Sequence, residues 1–169
     1  MNKICIFHNS DKEFLSKESF IKWIKNGFGE PHHQYIHRYI YCQPAFRPLS
    51  AGDKIIFAYG SKELKHTWLI GEANILSYKK LEGNERYQKT AETNKSQTYN
   101  VEYHLNPKTV VIYNAGIELT PSLIKTYLPK IWKTMQKVGH KNKAGYVFRI
   151  GVYVSSQEYQ NIKSLLQSP

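Results

Sequence analysis

The stretch Lys54–Gly60, KIIFAYG, constrains this chain more than any other. Apolar and rich in β-branched and aromatic residues, it reads as a strand opened by a turn at Gly52 and Asp53. After a short polar gap comes TWLIGEANILSYKK, residues 67–80, which reads as its antiparallel neighbour. Gly71 interrupts that second run, and a glycine inside a strand marks a bend where a curved sheet closes. The two segments are therefore expected to be adjacent staves of one sheet.

The rest of the chain supplies the other staves. KICIF (3–7) reads as a first strand, and SKESFIKWIKNG (16–27) carries Phe20, Ile21, Trp23 and Ile24 at helical spacing. Ser16 is its cap and Gly27 its stop. Residues 28–49 hold three prolines and scattered aromatics, which predicts a long shaped connection without a regular element. The polar stretch 79–98 is either a mobile loop or a segment that a ligand orders. YNVEYHL (99–105) sets Val101, Tyr103 and Leu105 on one side, and KTVVIYN (108–114) reads as a buried strand. Thr120 and Pro121 open a helix that Pro129 divides in two. GYVFRIGVYV (145–154) is a last strand, and Ser155 with Glu158 forms a capping box for a C-terminal helix. Without repeats or an interdomain linker, residues 1–169 are expected to form a single domain. The fold class is α+β: a curved, mostly antiparallel open β-barrel of five or six strands with flanking helices.

Charge narrows the partner. Lys and Arg number 24 against 13 Asp and Glu, a net charge of +11, which suits a polyanion: nucleic acid first, an acidic membrane surface second. No apolar run is long enough to span a bilayer, and Cys5 and Cys42 show no CxxC spacing, so a soluble cytoplasmic protein without disulfide or zinc is expected. Lys130, Lys133 and Lys137 share one helical face, Lys125 precedes them, Lys141 and Lys143 follow, and no acid intervenes. Such a face suits phosphates, although it is also an ordinary solvated face. Trp68 is either a core residue or a pocket wall; Trp23 and Trp132 read as core. Asp53 is explained by its turn and Glu72 by structure.

Enzymatic signatures are sparse. His33 and His37 have i, i+4 spacing, but no carboxylate or cysteine completes a set, so no metal is expected. With His32, Tyr35, Arg38 and Tyr39 they read instead as a basic, aromatic lip. There is no zinc-deaminase pattern, glycine-rich phosphate loop or carboxylate cluster, so a binding module without cofactor is expected rather than an enzyme. The alternatives are a small metal-independent nuclease or glycosylase, with His33 or His37 as acid–base group near Lys65, and a basic scaffold domain.

AFRPLSAGDKIIFAYG leading into TWLIGEANI, and the tail FRIGVYVSSQEYQNIKSLL, resemble the PUA-like superfamily and its EVE and YTH branches. That resemblance implies a curved sheet with an aromatic pocket for a flipped, modified base. Its members read methylated RNA or serve as specificity domains of McrB-like modification-dependent restriction systems. Physical chemistry is consistent with such a pocket, since aromatic stacking contributes about 1–3 kcal/mol per base and a buried methyl adds about 0.8 kcal/mol. Phe28 stands where YTH-type readers carry a cage tryptophan, and Tyr87 or Tyr99 would supply the second cage residue. With Trp68 these make the expected base pocket. The backbone contacts expected are Arg38, Lys130, Lys133, Lys137, Lys141, Lys143 and Arg149, the last by its match to a backbone-contacting position. The fuller likeness to the EVE branch favours DNA over RNA as the carrier of the methylated base, which the likeness does not identify. A motor or nuclease region would act in cis or trans.

Overall fold

In the computed structural model, which describes residues 2–10, 13–26, 33–37, 49–60, 66–89, 96–137 and 151–167, the turn at Asp53 organises the sheet. Gly52 takes φ 86°, and the Asp53 carboxylate accepts the Ser50 amide at 2.8 Å and the Lys3 amide at 2.7 Å. One side chain thus ties the start of β3 (Lys54–Gly60) to the start of β1 (Ile4–Ser10). These two strands run parallel, with Ile4 opposite Lys54 and Ser10 opposite Gly60. Every other pairing among the described residues is antiparallel.

The spine is β4 (Thr67–Lys80). One edge pairs with β3 along Thr67–Asn74. The other edge carries β7 (Val111–Glu118) beside Trp68–Glu72 and β6 (Ser96–Leu105) beside Ile75–Lys80. β6 and β7 are one antiparallel run broken by the short turn Pro107–Thr109. There the Asn106 amide donates to the Asn74 carbonyl and the Asn74 amide donates to Thr109 Oγ1. Three short strands complete the sheet: β2 (His33–His37) and β5 (Tyr87–Lys89) on β6, and β8 (Val152–Tyr153) on β1. The result is a strongly curled α+β half-barrel, as expected, with eight strands among the described residues, five of them long, where five or six were expected. Gly71 bends the spine as anticipated. The register shifts on both sides of it, and a Cβ there would lie 2.4 Å from the Val111 carbonyl oxygen.

Alternation along β1 and β3 builds two cores, which is why Ile4–Phe7 and Ile55–Tyr59 are apolar without interruption. Cys5, Phe7, Ile55, Phe57 and Tyr59 face the inside of the curl and meet Phe20 and Ile24 of α1 (Lys17–Lys25). Ile6, Ile56 and Ala58 face the other way. They meet Ile124 of α2 (Pro121–Tyr127), Ile131 and Met135 of α3 (Pro129–Lys137), and Ile162 of α4 (Ser156–Gln167). Burying each such side chain contributes about 1.5–3 kcal/mol.

The helix ends follow from local chemistry. Ser16 accepts the Ser19 amide at 3.0 Å, and Thr120 accepts the Leu123 amide at 3.2 Å. Pro129 separates α2 from α3. The Ser155–Glu158 capping box forms, and the buried Glu158 carboxylate also accepts the Lys130 amide at 2.8 Å, so it holds the first turn of α3 as well. Gly27 lies outside the described residues.

Two expectations need correction. Part of 28–49 is regular after all: His33–His37 form a strand paired with β6, because an available sheet edge stabilises even a short run between prolines. Part of 79–98 is likewise sheet, since β4 runs to Lys80 and Tyr87–Lys89 pair with Ser96–Thr98. Of the expected strand 145–154, residues 152 and 153 are strand, and 145–150 lie outside the described residues.

Candidate nucleic-acid interface

Trp68 is the second residue of β4, opposite Tyr59 of β3 and Glu118 of β7. Period two puts it on the inner face with Ile70, half-buried against the aromatic core. The Tyr59 ring lies 6.3 Å from the indole at 29°, and the His66 imidazole 5.6 Å away at 28°. Lys17 Nζ, reaching over from α1, sits 5.2 Å from the ring centroid, within cation–π range. Tyr59 is locked, being 2% exposed and donating its hydroxyl to the Phe14 carbonyl at 3.2 Å. His66 is exposed and paired with the Glu118 carboxylate. Beyond Tyr59 an aromatic column runs to Phe20, 5.8 Å away, and on to Trp23, 5.9 Å further and stacked. The half-buried indole is thus held on its core side by Tyr59, with the Lys17 ammonium over its ring and the His66–Glu118 pair beside it.

The expected pocket residues do not all converge there. Tyr87 is 65% exposed at the start of β5, whereas Tyr99 is buried in β6. Register sets Val101 opposite Lys80, so Tyr99 lies past the far end of β4. The strand between Trp68 and Lys80 has roughly 40 Å of contour at ~3.3 Å per residue. Trp68 and the two tyrosines therefore stand at opposite ends of the spine. Phe28, Arg38, Lys141, Lys143 and Arg149 lie outside the described residues, as do His32, Tyr39 and Lys65.

Lys130, Lys133 and Lys137 are all exposed on α3, as is Lys125 on α2. Ile131 and Met135 of α3 pack on the face of the sheet opposite to Trp68. The sheet and a helix about 10–12 Å across separate the lysines from the indole. His33 and His37 lie on a strand, where i, i+4 neighbours are about 13 Å apart instead of one helical turn. The spacing that suggested a metal pair thus loses its basis. Among the described residues, no group of three His, Cys, Asp or Glu could hold a metal ion. None of the described helices is long and apolar enough to cross a membrane.

Glu72 forms the other polar constellation. Its buried carboxylate accepts Lys54 Nζ at 2.7 Å, Tyr159 hydroxyl at 2.8 Å and Lys163 Nζ at 3.1 Å, and also the Tyr113 hydroxyl. Burial would push the carboxyl up, but the hydrogen bonds from Lys54, Tyr113 and Tyr159 and the Lys54 charge together hold it below its ordinary value. Burial, and then the carboxylate itself, push the Tyr113 hydroxyl far up. This cluster pins α4 to β3, β4 and β7, the structural role read from the sequence.

Sequence reasoning missed Tyr59, His66, Lys17 and Glu118 as neighbours of Trp68. His66 could have been found, since residues i and i+2 of a strand share a face. Tyr59, Lys17 and Glu118 needed the register and the helix placement.

No protein-family model matches the sequence, and no curated protein does. Solved structures do match. Human THYN1 protein in complex with 5-methylcytosine-containing DNA is 14% identical, with a TM-score of 0.57 over 99% of each chain. A hypothetical protein from Leishmania major is 16% identical, with a TM-score of 0.49 over 99% of this chain and 96% of that one. The N-terminal domain of Thermococcus gammatolerans McrB bound to m5C DNA is 12% identical, with a TM-score of 0.44 over 98% of each. Identity this low speaks to fold alone: the chain shares the fold of the THYN1 structure, a curled α+β half-barrel consistent with the PUA-like architecture that its sequence resembles.

Proposed function

We propose that residues 1–169 form a single DNA-binding domain that reads a modified base without chemistry of its own. The observation that carries this reading is the half-buried Trp68, between locked Tyr59 and exposed His66 and under Lys17, at one end of the half-barrel. The architecture is shared along 99% of its length with THYN1, whose solved complex contains 5-methylcytosine DNA, which adds support. A flipped base stacks on Trp68, with Phe28 as the second wall and Lys17 near the flanking phosphate. Tyr87, exposed at the far end of the spine, stacks on a base further along, and Tyr99 supports it from within β6. Arg38, Arg149, Lys141 and Lys143 supply backbone contacts near the base, and the α3 lysines supply phosphate contacts away from it. Cleavage or translocation belongs to another region or partner.

The test is fluorescence-anisotropy binding to matched oligonucleotides at two salt concentrations. The panel holds unmodified, 5-methylcytosine and N6-methyladenine DNA, single- and double-stranded, with RNA equivalents. A preference for one modified DNA that persists at higher salt is the expected outcome, with 5-methylcytosine the first candidate. Equal, salt-sensitive binding to every oligonucleotide would leave a basic surface and no reader. Backbone contacts alone weaken steeply with salt and do not discriminate bases.

A further inference from the structure

The charge of this chain is lopsided. Residues 119–169 hold eight Lys and Arg against a single acid, Glu158, so they carry most of the net +11. That acid is buried and spent on helix amides. Lys125, Lys130, Lys133 and Lys137 are exposed, with Thr126, Thr134 and Gln136 exposed among them. None of the exposed large hydrophobic side chains among the described residues lies on α2, α3 or α4. A protein-docking face needs an apolar centre, whereas a phosphate-binding face needs cations and hydrogen-bond donors. From Lys130 to Lys137 the helix rises about 10 Å at ~1.5 Å per residue. Three nucleotide steps of one strand at ~3.4 Å each cover about the same length.

The same lysines lie across the sheet from Trp68. A base stacked on Trp68 is separated from them by the sheet and a helix about 10–12 Å across. We infer that the lysine face of α2 and α3 is a second, base-blind phosphate surface, engaging a different duplex segment from the one that delivers a base to Trp68. This rests on the DNA-reading proposal and adds that one chain bridges two segments.

Two 30-base-pair duplexes of the same sequence test it, one methylated at a single cytosine and carrying a donor dye, the other unmodified and carrying an acceptor. The full chain should bring the dyes together. A Lys130→Gln/Lys133→Gln/Lys137→Gln variant should abolish that transfer while keeping the ratio of methylated to unmodified affinity. Between 50 and 200 mM salt, three phosphate contacts weaken binding about 40-fold, at a slope of about 0.9 per contact; the variant should lack that share. The triple Lys→Arg variant should restore both signals, and unchanged thermal unfolding would show that each variant folds. Absence of dye transfer with the full chain would overturn the inference, as would loss of methyl preference in the glutamine variant. Displacement of the duplex by polyglutamate at equal charge would do the same, by making the face a docking site for acidic protein. If the full chain shows no methyl preference but keeps the lysine-dependent salt slope, the reader proposal fails and the phosphate surface stands.

Discussion

The two faces of this sheet are built from alternate residues of the same strands and differ in almost everything else. Inside the curl, Phe7, Phe20, Phe57, Tyr59 and Tyr103 make an aromatic core that ends in the half-buried Trp23 and Trp68. On the helix face, Ile6, Ile56, Leu69, Ile131, Met135 and Ile162 make a largely aliphatic core, crossed by two buried carboxylates, Glu72 and Glu158. The contrast shows how one short sheet separates roles by parity. Aromatics that reach the rim offer a flat stacking surface, while a helix layer anchored by satisfied carboxylates presents lysines to solvent. Both anchoring carboxylates are buried and hydrogen-bonded, whereas the α3 lysines are exposed and Trp68 is half-buried.

The contrast can be broken most severely at Glu72. Glu72→Ala leaves two ammonium groups and two hydroxyls facing a cavity. Because Lys54 and Lys163 still reach solvent, the expected loss is about 3 kcal/mol, at the low end for a broken buried pair. That lowers the midpoint of thermal unfolding by roughly 6–12 °C, with the modified-to-unmodified binding ratio unchanged below it. The same residue sets an acid limit. The Glu72 carboxyl titrates below its ordinary value of 4.5 when folded, so its contribution is complete above that pH. It is lost as pH falls through the folded value, because the unfolded chain takes up the proton first. Stability measured from pH 6 to 3 should fall less steeply in Glu72→Gln; an identical slope would remove Glu72 from the account.

On the other face Trp68 and Lys17 should act chiefly on binding, and Tyr59 on stability. Trp68→Ala should cost about 1–3 kcal/mol of affinity for the preferred oligonucleotide, roughly 5- to 150-fold. Tyr59→Phe, which keeps the ring and drops the bond to the Phe14 carbonyl, should cost about 1 kcal/mol of stability and little affinity. If Trp68→Ala unfolds the protein with no separable binding defect, the tryptophan is core and the two faces do not divide the work. Lys17→Met is the smallest lever. Losing the cation proposed to meet the flanking phosphate should weaken binding about 1.4- to 5-fold, the size of an exposed ion pair of about 0.2–1 kcal/mol.

Much of this was legible in order along the chain, and the reason is range. Caps, turns and breaks are made by groups a few residues apart, so Ser16, the Gly52–Asp53 turn, Thr120, Pro129 and the Ser155–Glu158 box could be read directly and act as read. The alternation of Val101, Tyr103 and Leu105 identified a buried side, and Gly71 a bend, because both are properties of one strand. Pairing is a different matter. Nothing within residues 33–37 says that a sheet edge awaits them, and nothing within β1 says that its partner β3 runs parallel. The candidate site fell between these cases. Trp68 was visible as an aromatic on a strand, but Tyr59, Lys17 and Glu118 reach it only through register and helix packing. The lysines are legible as a stripe, yet the stripe alone does not reveal which face of the sheet carries it. The sequence by itself determined which elements form and which side of each is apolar, since these depend on bonds and periodicities inside one element. Which apolar side meets which, and therefore that Trp68 and the α3 lysines stand on opposite faces, was decided only by the tertiary structure, because long-range pairing selects one register among many that the local patterns allow equally well.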